Sequence, residues 1–292
     1  MSSCLALGTV QFGLPYGVAN QSGQVSCGEV AEILAYAWAA GLNTLDTAIA
    51  YGESEQRLGE VGVAQWQVIS KLPAIPEDCI DIAAWVEAAV CGSLWRLKIP
   101  KLYGLLLHRP LQLLGSQGPA LYRELVSLKE QGKVEKIGVS IYCHDELEAL
   151  WPHYRLDLVQ APFNILDRRL ATSGWLARLH HAGIEVHVRS VFLQGLLLMG
   201  SENRPAYFNR WRPLWDEWHR WLTEQALTPL EGCLHFAMSQ PEVGRVVVGV
   251  DSLKHLQEIV SASSPTIGIM KFPSELASET SALINPSEWI KS

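Results

Sequence analysis

Asp46, Tyr51, Lys71 and His108 are the residue types that could move a proton onto a carbonyl oxygen. A phenol titrates near ~10 in water, so at neutral pH it is a poor acid unless a nearby cation stabilises its ionised form. Lys71 can be that cation, and Asp46 would keep it charged, since a buried ammonium without a partner tends to lose its proton. His108 adds a polar hydrogen-bonding group for a substrate oxygen or for Tyr51. No serine or cysteine nucleophile with an adjacent base stands out, and the histidines show no tight metal-ligand spacing, so no metal is expected. Proton donation to a carbonyl also needs a hydride, which no side chain provides, so a nicotinamide cofactor is required.

Such a set needs elements that bring it together. Asp46 closes a short apolar run and Tyr51 lies in the loop leading to a helix over Glu53–Val61, a place where function gathers more often than packing does. Further strands are expected at Leu5–Gly8, Asn43–Asp46, Gln67–Lys71, Lys101–Leu107, Lys136–Ser140, Leu156–Gln160, Ile184–Val188 and Arg245–Val248. Helices are expected between them at Gly28–Ala39, Ile80–Leu97, Pro119–Gln131, Asp145–Leu150, Arg169–Ala182, Thr228–Ser239 and Ser252–Ser261. Eight strand-plus-helix units with buried-looking strands predict an α/β fold, a single (β/α)8 TIM barrel. An open doubly wound sheet is the alternative, but neither G-x-G-x-x-G nor G-x-x-x-x-G-K-[ST] is present. In a barrel Asp46, Lys71, His108, Ser140, Gln160 and Arg189-Ser190 all arrive on the C-terminal rim, where barrel enzymes place their chemistry. The chain reads as one domain over 1–292, with a core of about 5–262 and a C-terminal tail over 267–292.

Composition narrows the partners. A chain of 292 residues, 48% hydrophobic, can bury a large core, and its formal charge of -7 without any Lys/Arg run argues against nucleic acid and anionic membrane. The six cysteines are scattered without a C-x-x-C pair, and the first residues lack the pattern of a signal peptide. Reduced thiols in a cytoplasmic protein are the expectation, and no apolar run approaches the ~18 residues of a transmembrane helix.

The run Asp46-Thr47-Ala48-x-x-Tyr51-Gly52-x-Ser54-Glu55-x-x-Leu58-Gly59, with Lys71 and Leu107-His108-Arg109-Pro110, resembles the aldo-keto reductase superfamily over roughly Leu5 to Ala262. The resemblance implies an NAD(P)H-dependent barrel reductase acting on a small-molecule aldehyde or ketone. Tyr51 would be the general acid, Lys71 would make it acidic, Asp46 would support Lys71, and His108 would orient the carbonyl. Carried further, Gly8, Thr9, Ser140 and Gln160 would contact the nicotinamide end of NADPH or NADH. Ser190 and the turn Leu193-Gln194-Gly195 would follow the pyrophosphate, and Gly249 to Glu258, including Asp251, Ser252 and His255, would hold the adenosine phosphate end. Two departures stand out: Ser140 is followed by Ile141 where many members have asparagine, and Arg189 stands where an aromatic commonly stacks under the nicotinamide. The run Ser190 to Leu197 is similar to bacterial members, some of them associated with sugar or surface-polysaccharide metabolism.

Pocket walls are expected from Phe12, Tyr16 and the loop Pro205 to Phe208, including Tyr207, because loops after the first and seventh strands overlook the rim. Trp211, Trp215, Trp218 and Leu222 fall at helical spacing and read as one packed face. Asp251 reverses the charge that an arginine or lysine would offer a 2′-phosphate, which favours tolerance of NADH. The same fold also serves as a cofactor-sensing regulatory subunit on some potassium channels, so a binding role with little turnover is the second reading.

Overall fold

The eight apolar runs become eight parallel strands that close in chain order into a barrel in the computed structural model, which describes residues 4–20, 22–264 and 270–289. The strands are β1 (Leu5–Gly8), β2 (Thr44–Asp46), β3 (Gln67–Leu72), β4 (Leu102–Leu107), β5 (Val134–Ser140), β6 (Leu158–Pro162), β7 (Glu185–Arg189) and β8 (Arg245–Gly249). Closure comes from β1 pairing with β8 through Leu5↔Val246 to Gly8↔Gly249. Arg189 and Gly249 thus end their strands rather than follow them.

Strand side chains alternate between two faces. Leu5, Leu7, Leu45, Val68, Val159, Val186, Val188, Val246 and Val248 belong to the large core between sheet and helices. The opposite parity points into the barrel, where Ile69, Leu106 and Leu158 form a separate apolar cluster. Toward the starts of their strands Tyr103, Lys136 and Glu185 bond one another, and Glu185 lies 2.7 Å from His187 Nε2. Above the cluster come Asp46, Lys71, Ser140 and Gln160. The apolar plug therefore separates two polar ends.

The connecting helices carry ordinary start signals. Ser26 caps Cys27–Ala39, Asp81 caps Ile82–Leu97, and Thr228 with Glu231 forms a capping box before Pro229–Met238, satisfying amides that the helix itself leaves open. The helix expected over Arg169–Ala182 is instead a single turn at Arg169–Thr172 followed by Trp175–His181. Gly174 between them has φ 80°, a left-handed conformation that interrupts the helical path.

The Trp-rich segment forms a helix over Arg212–Glu224 that buries Trp215, Trp218, Trp221 and Leu222. Trp211 lies in the preceding short turn, and Trp221, which the spacing argument passed over, stacks on Trp218 at 5.5 Å. A fully buried aromatic removes about 150–250 Å² from water, so each contributes roughly 4–6 kcal/mol of gross transfer free energy. The described part of the tail returns over this layer: Trp289 meets Phe208 at 4.9 Å and Trp221 Nε1 donates to Lys271 O at 3.3 Å. Positions 267–269 and 290–292 of the expected tail lie outside the described residues. Among the described residues no helix is long and apolar enough to cross a membrane, and all six cysteines are free thiols.

Candidate active site

Lys71 is buried to 1% exposure on β3, and an ammonium has three N–H bonds to place. It donates to Asp46 Oδ2 at 2.6 Å, to Thr47 O at 3.0 Å and to Tyr51 Oη at 3.4 Å. The other Asp46 oxygen accepts from Gln160 Nε2 at 2.6 Å, and Ser140 Oγ donates to Gln160 Oε1 at 3.3 Å. Ser140 and Gln160 are cross-strand neighbours in the β5–β6 register, so the barrel itself sets this pair. A relay thus runs from Ser140 through Gln160, Asp46 and Lys71 to the phenol of Tyr51.

Burial pulls the Lys71 ammonium toward losing its proton, yet the Asp46 carboxylate and Tyr51 outweigh it and hold the group above the ordinary lysine value. His108 behaves oppositely. Burial first, then the cations Lys71 and Arg189, push it down to about 4, so at neutral pH its imidazole is uncharged. Its ring stands edge-on to Tyr51, centroids 6.0 Å apart.

The Tyr51 loop is held from below. Thr9 donates its backbone N–H and its hydroxyl to Asp46 O at 2.9 and 3.0 Å, and Ser54 Oγ donates to Thr9 O at 2.9 Å. A Cβ on Gly13 would sit 1.7 Å from Tyr51 O, and Gly52 has φ 53° with Gly13 O 2.5 Å from where its Cβ would be. Those two glycines let the backbones touch, and a side chain at either would displace Tyr51. Glu55, quoted above only as part of a motif, accepts from Ser70 Oγ and Ser93 Oγ at 2.6 Å each and from Arg96 Nε at 2.8 Å. It fastens the helix after Tyr51 to the strand residue beside Lys71.

A cavity of about 590 Å³ opens above these groups, lined by Asp46, Tyr51, Lys71 and His108. Gly8, Thr9, Ser140 and Gln160 form its floor, Arg189, Ser190 and Gly195 one flank, and Gly249, Asp251, His255 and Glu258 another part of the wall. Tyr16 lines it from the β1 loop. The remaining expected residues stand apart. Leu193 turns its side chain into the core, and Ser252 accepts from His255 N as the cap of Leu253–Ala262. Phe12 is fully buried in the core, and Tyr207 and Phe208 are drawn away toward the tail, where Tyr207 Oη donates to Ala282 O at 3.0 Å. None of these five lines the cavity; the aromatic loop found a partner remote in sequence instead.

Lining residues that the sequence did not single out include Gln11, Asn20 and Tyr142. Tyr142 lies two residues past the end of β5, a position that the rim argument alone could have raised. Asn20 Nδ2 donates to Asp251 Oδ1 at 2.9 Å, and Gln194 Nε2 donates to Tyr16 Oη at 3.1 Å, so the β1 loop spans the cavity to both flanks. Burial raises the Asp251 carboxyl, with His255 and Asn20 acting against it. Away from the cavity, the consecutive residues Cys143, His144 and Asp145 bring possible ligand atoms within 4.8 Å of one another, a grouping that the spacing argument for metals did not consider.

The Aldo/keto reductase family model matches residues 4–273. A protein from Pseudomonas aeruginosa described as an aldo-keto reductase is 25% identical, with 90% of each chain covered and a TM-score of 0.66. A second structure so described from the same organism is 24% identical over 90% of this chain and 89% of that one, also with a TM-score of 0.66. The holo form of aldo-keto reductase AKR11C1 from Bacillus halodurans is 20% identical over 91% and 88%, with a TM-score of 0.69, a likeness of fold. Comparison with curated proteins gives no match.

Proposed function

Because the chain belongs to the Aldo/keto reductase family, whose members are NAD(P)H-dependent oxidoreductases, we propose that it reduces an aldehyde or ketone to the alcohol with Tyr51 as proton donor. The observation that carries this reading is the third N–H of a buried, Asp46-paired Lys71 directed at Tyr51 Oη on the wall of a cavity. As the carbonyl oxygen gains charge, Tyr51 gives it the phenolic proton and is left as a phenolate. Lys71 stabilises that phenolate through a charge-assisted hydrogen bond, and Asp46, held by Gln160, keeps Lys71 charged. Neutral His108 can orient the carbonyl without adding a second cation that would compete for the proton. When bound, the reduced dinucleotide supplies the hydride that completes the alcohol.

The residues fit such a cofactor. Gln11 Oε1 is buried without a partner in the cavity wall and can accept a hydrogen bond from a bound group. Ser140 and Gln160 offer polar atoms beside Lys71, and Ser190 with the Gln194-Gly195 turn offers donors along one flank. The helix Leu253–Ala262 begins at the opposite part of the wall, where its N-terminus favours an anionic group.

The carboxylate of Asp251 on this wall supports tolerance of NADH, since it repels a 2′-phosphate and can accept from a 2′-hydroxyl. Lys254, a conceivable phosphate partner, faces solvent beside Glu258 instead of lining the cavity.

Steady-state oxidation of both reduced dinucleotides over a panel of aliphatic, aromatic and sugar-derived carbonyls tests the reading. Turnover with some of them is expected. Tight dinucleotide binding with no turnover on any carbonyl would replace it by the sensor reading.

A further inference from the structure

Arg189 ends β7 with its guanidinium carbon over the Tyr142 ring, 4.7 Å from the centroid. Its Nη2 donates to Ile141 O at 2.9 Å and its Nη1 to Ser190 Oγ at 3.2 Å, both neutral acceptors, and it makes no ion pair among the described residues. A guanidinium has five N–H bonds, so three remain unspent. At the catalytic end Asp46 and Lys71 cancel and His108 is neutral, while Arg189 on the cavity wall has no carboxylate within ion-pair distance among the described residues.

Its hydrogen bond turns it away from the adenosine end of the cavity. The contact with Ile141 reaches from the end of β7 past β6 to the residue following β5, away from β8 and the helix Leu253–Ala262. That lean carries the charge toward His108, which follows β4 and feels it. Tyr16, from the β1 loop, is near enough to sense Arg189, Tyr142 and Tyr51 together. Arg189 therefore lines the same cavity as Tyr51 and His108, and its planar fork suits a planar anion.

We propose, building on carbonyl reduction at this site, that the substrates are carbonyl compounds bearing a carboxylate, and that Arg189, held over the Tyr142 ring, is the residue that recognises that carboxylate.

The test is calorimetric titration of the full chain, loaded with the oxidised dinucleotide so that no turnover occurs, with 4-carboxybenzaldehyde and with methyl 4-formylbenzoate. The two differ by one masked charge. Wild type is expected to bind the acid about 10- to 100-fold tighter than the ester, the scale of one charge-assisted hydrogen-bonded contact. The preference should weaken as salt is raised. Arg189→Met should bring the two ligands within about threefold, and Arg189→Lys, which keeps the charge and the fold but loses the planar fork, should fall between. Equal binding of acid and ester by wild type, or a preference that survives in Arg189→Met, would overturn the proposal. If the acid preference holds while no carbonyl is reduced, the reductase reading fails and carboxylate recognition stands. If carbonyls are reduced with acid and ester bound alike, the reverse is true.

Discussion

The two ends of the barrel carry the same four kinds of side chain. At the C-terminal end Lys71, Asp46, Tyr51 and His108 meet, and at the N-terminal end Lys136, Glu185, Tyr103 and His187 do. The lower phenol is spent: Tyr103 Oη donates to Glu185 at 2.7 Å and accepts from Lys136 at 2.8 Å. Glu185 also bonds Lys136 directly and lies 2.7 Å from His187 Nε2. Burial would raise the Glu185 carboxyl, but the bonds from His187, Lys136 and Tyr103 hold it well below the usual carboxylate range. The upper phenol has one lysine contact and faces a cavity. Residue types alone therefore do not make an active site. The difference is that one tyrosine has given its proton to a structural hydrogen bond and the other keeps it for a ligand.

The largest contrast should come from the two tyrosines. Tyr51→Phe is expected to lower kcat by ~10²–10⁴-fold while dinucleotide still binds, because only the positioned acid is lost. Tyr103→Phe should leave kcat within a few-fold and instead lower stability, by about 1–2 kcal/mol for a half-buried bonded hydroxyl. Turnover lost equally in both would break the distinction.

The lysines sharpen it. Lys71→Met should reduce activity and move the pH dependence of carbonyl reduction upward, since the phenolate loses its cation. Asp46→Asn should act in the same direction less strongly. Lys136→Met should show an unshifted profile and a lowered denaturant midpoint. An unshifted profile with full activity in Lys71→Met would make that lysine structural as well.

His108 gives a signed pH effect. Its folded value of about 4 lies below the unfolded ~6.5, so between these values the unfolded chain binds the additional proton. Stability from this residue is thus lost as pH falls from about 6.5 toward 4 and is fully present above that window. Urea unfolding over this range should show less acid destabilisation for His108→Asn than for wild type; identical pH curves would remove the imidazole from the balance.

The smallest expected change is in cofactor choice. Asp251→Arg should move the kcat/KM ratio of NADPH to NADH toward NADPH by ~1–3 kcal/mol, the worth of a charge-assisted contact. A strong NADPH preference in wild type that the arginine does not increase would sink NADH tolerance.

The barrel could be read from the sequence because the strands are short and mostly apolar and alternate with helices, several of which carry their own start signals, all of it local. The rim residues Asp46, Lys71, Ser140 and Gln160 were legible for the same reason, since strand parity and the barrel rule place them without any distant information. What escaped depended on partners far along the chain. Tyr207 and Phe208 pack on the tail at Ala282 and Trp289, and Asn20 reaches Asp251 across the cavity. The lower set escaped because its members look like strand starts, and only closure of the sheet brings Tyr103, Lys136 and Glu185 together.

The most direct test of the upper set as the catalytic one is label transfer. The reduced dinucleotide, deuterated at its transferable position, is mixed with one reactive aldehyde, and the alcohol formed by wild type and by Tyr51→Phe is analysed by mass spectrometry over time. Wild type should place one deuterium on the former carbonyl carbon, and Tyr51→Phe should do so at least ~100-fold more slowly with the dinucleotide still bound. Labelled alcohol formed at equal rates by both proteins, or dinucleotide consumed without labelled alcohol, would contradict the account.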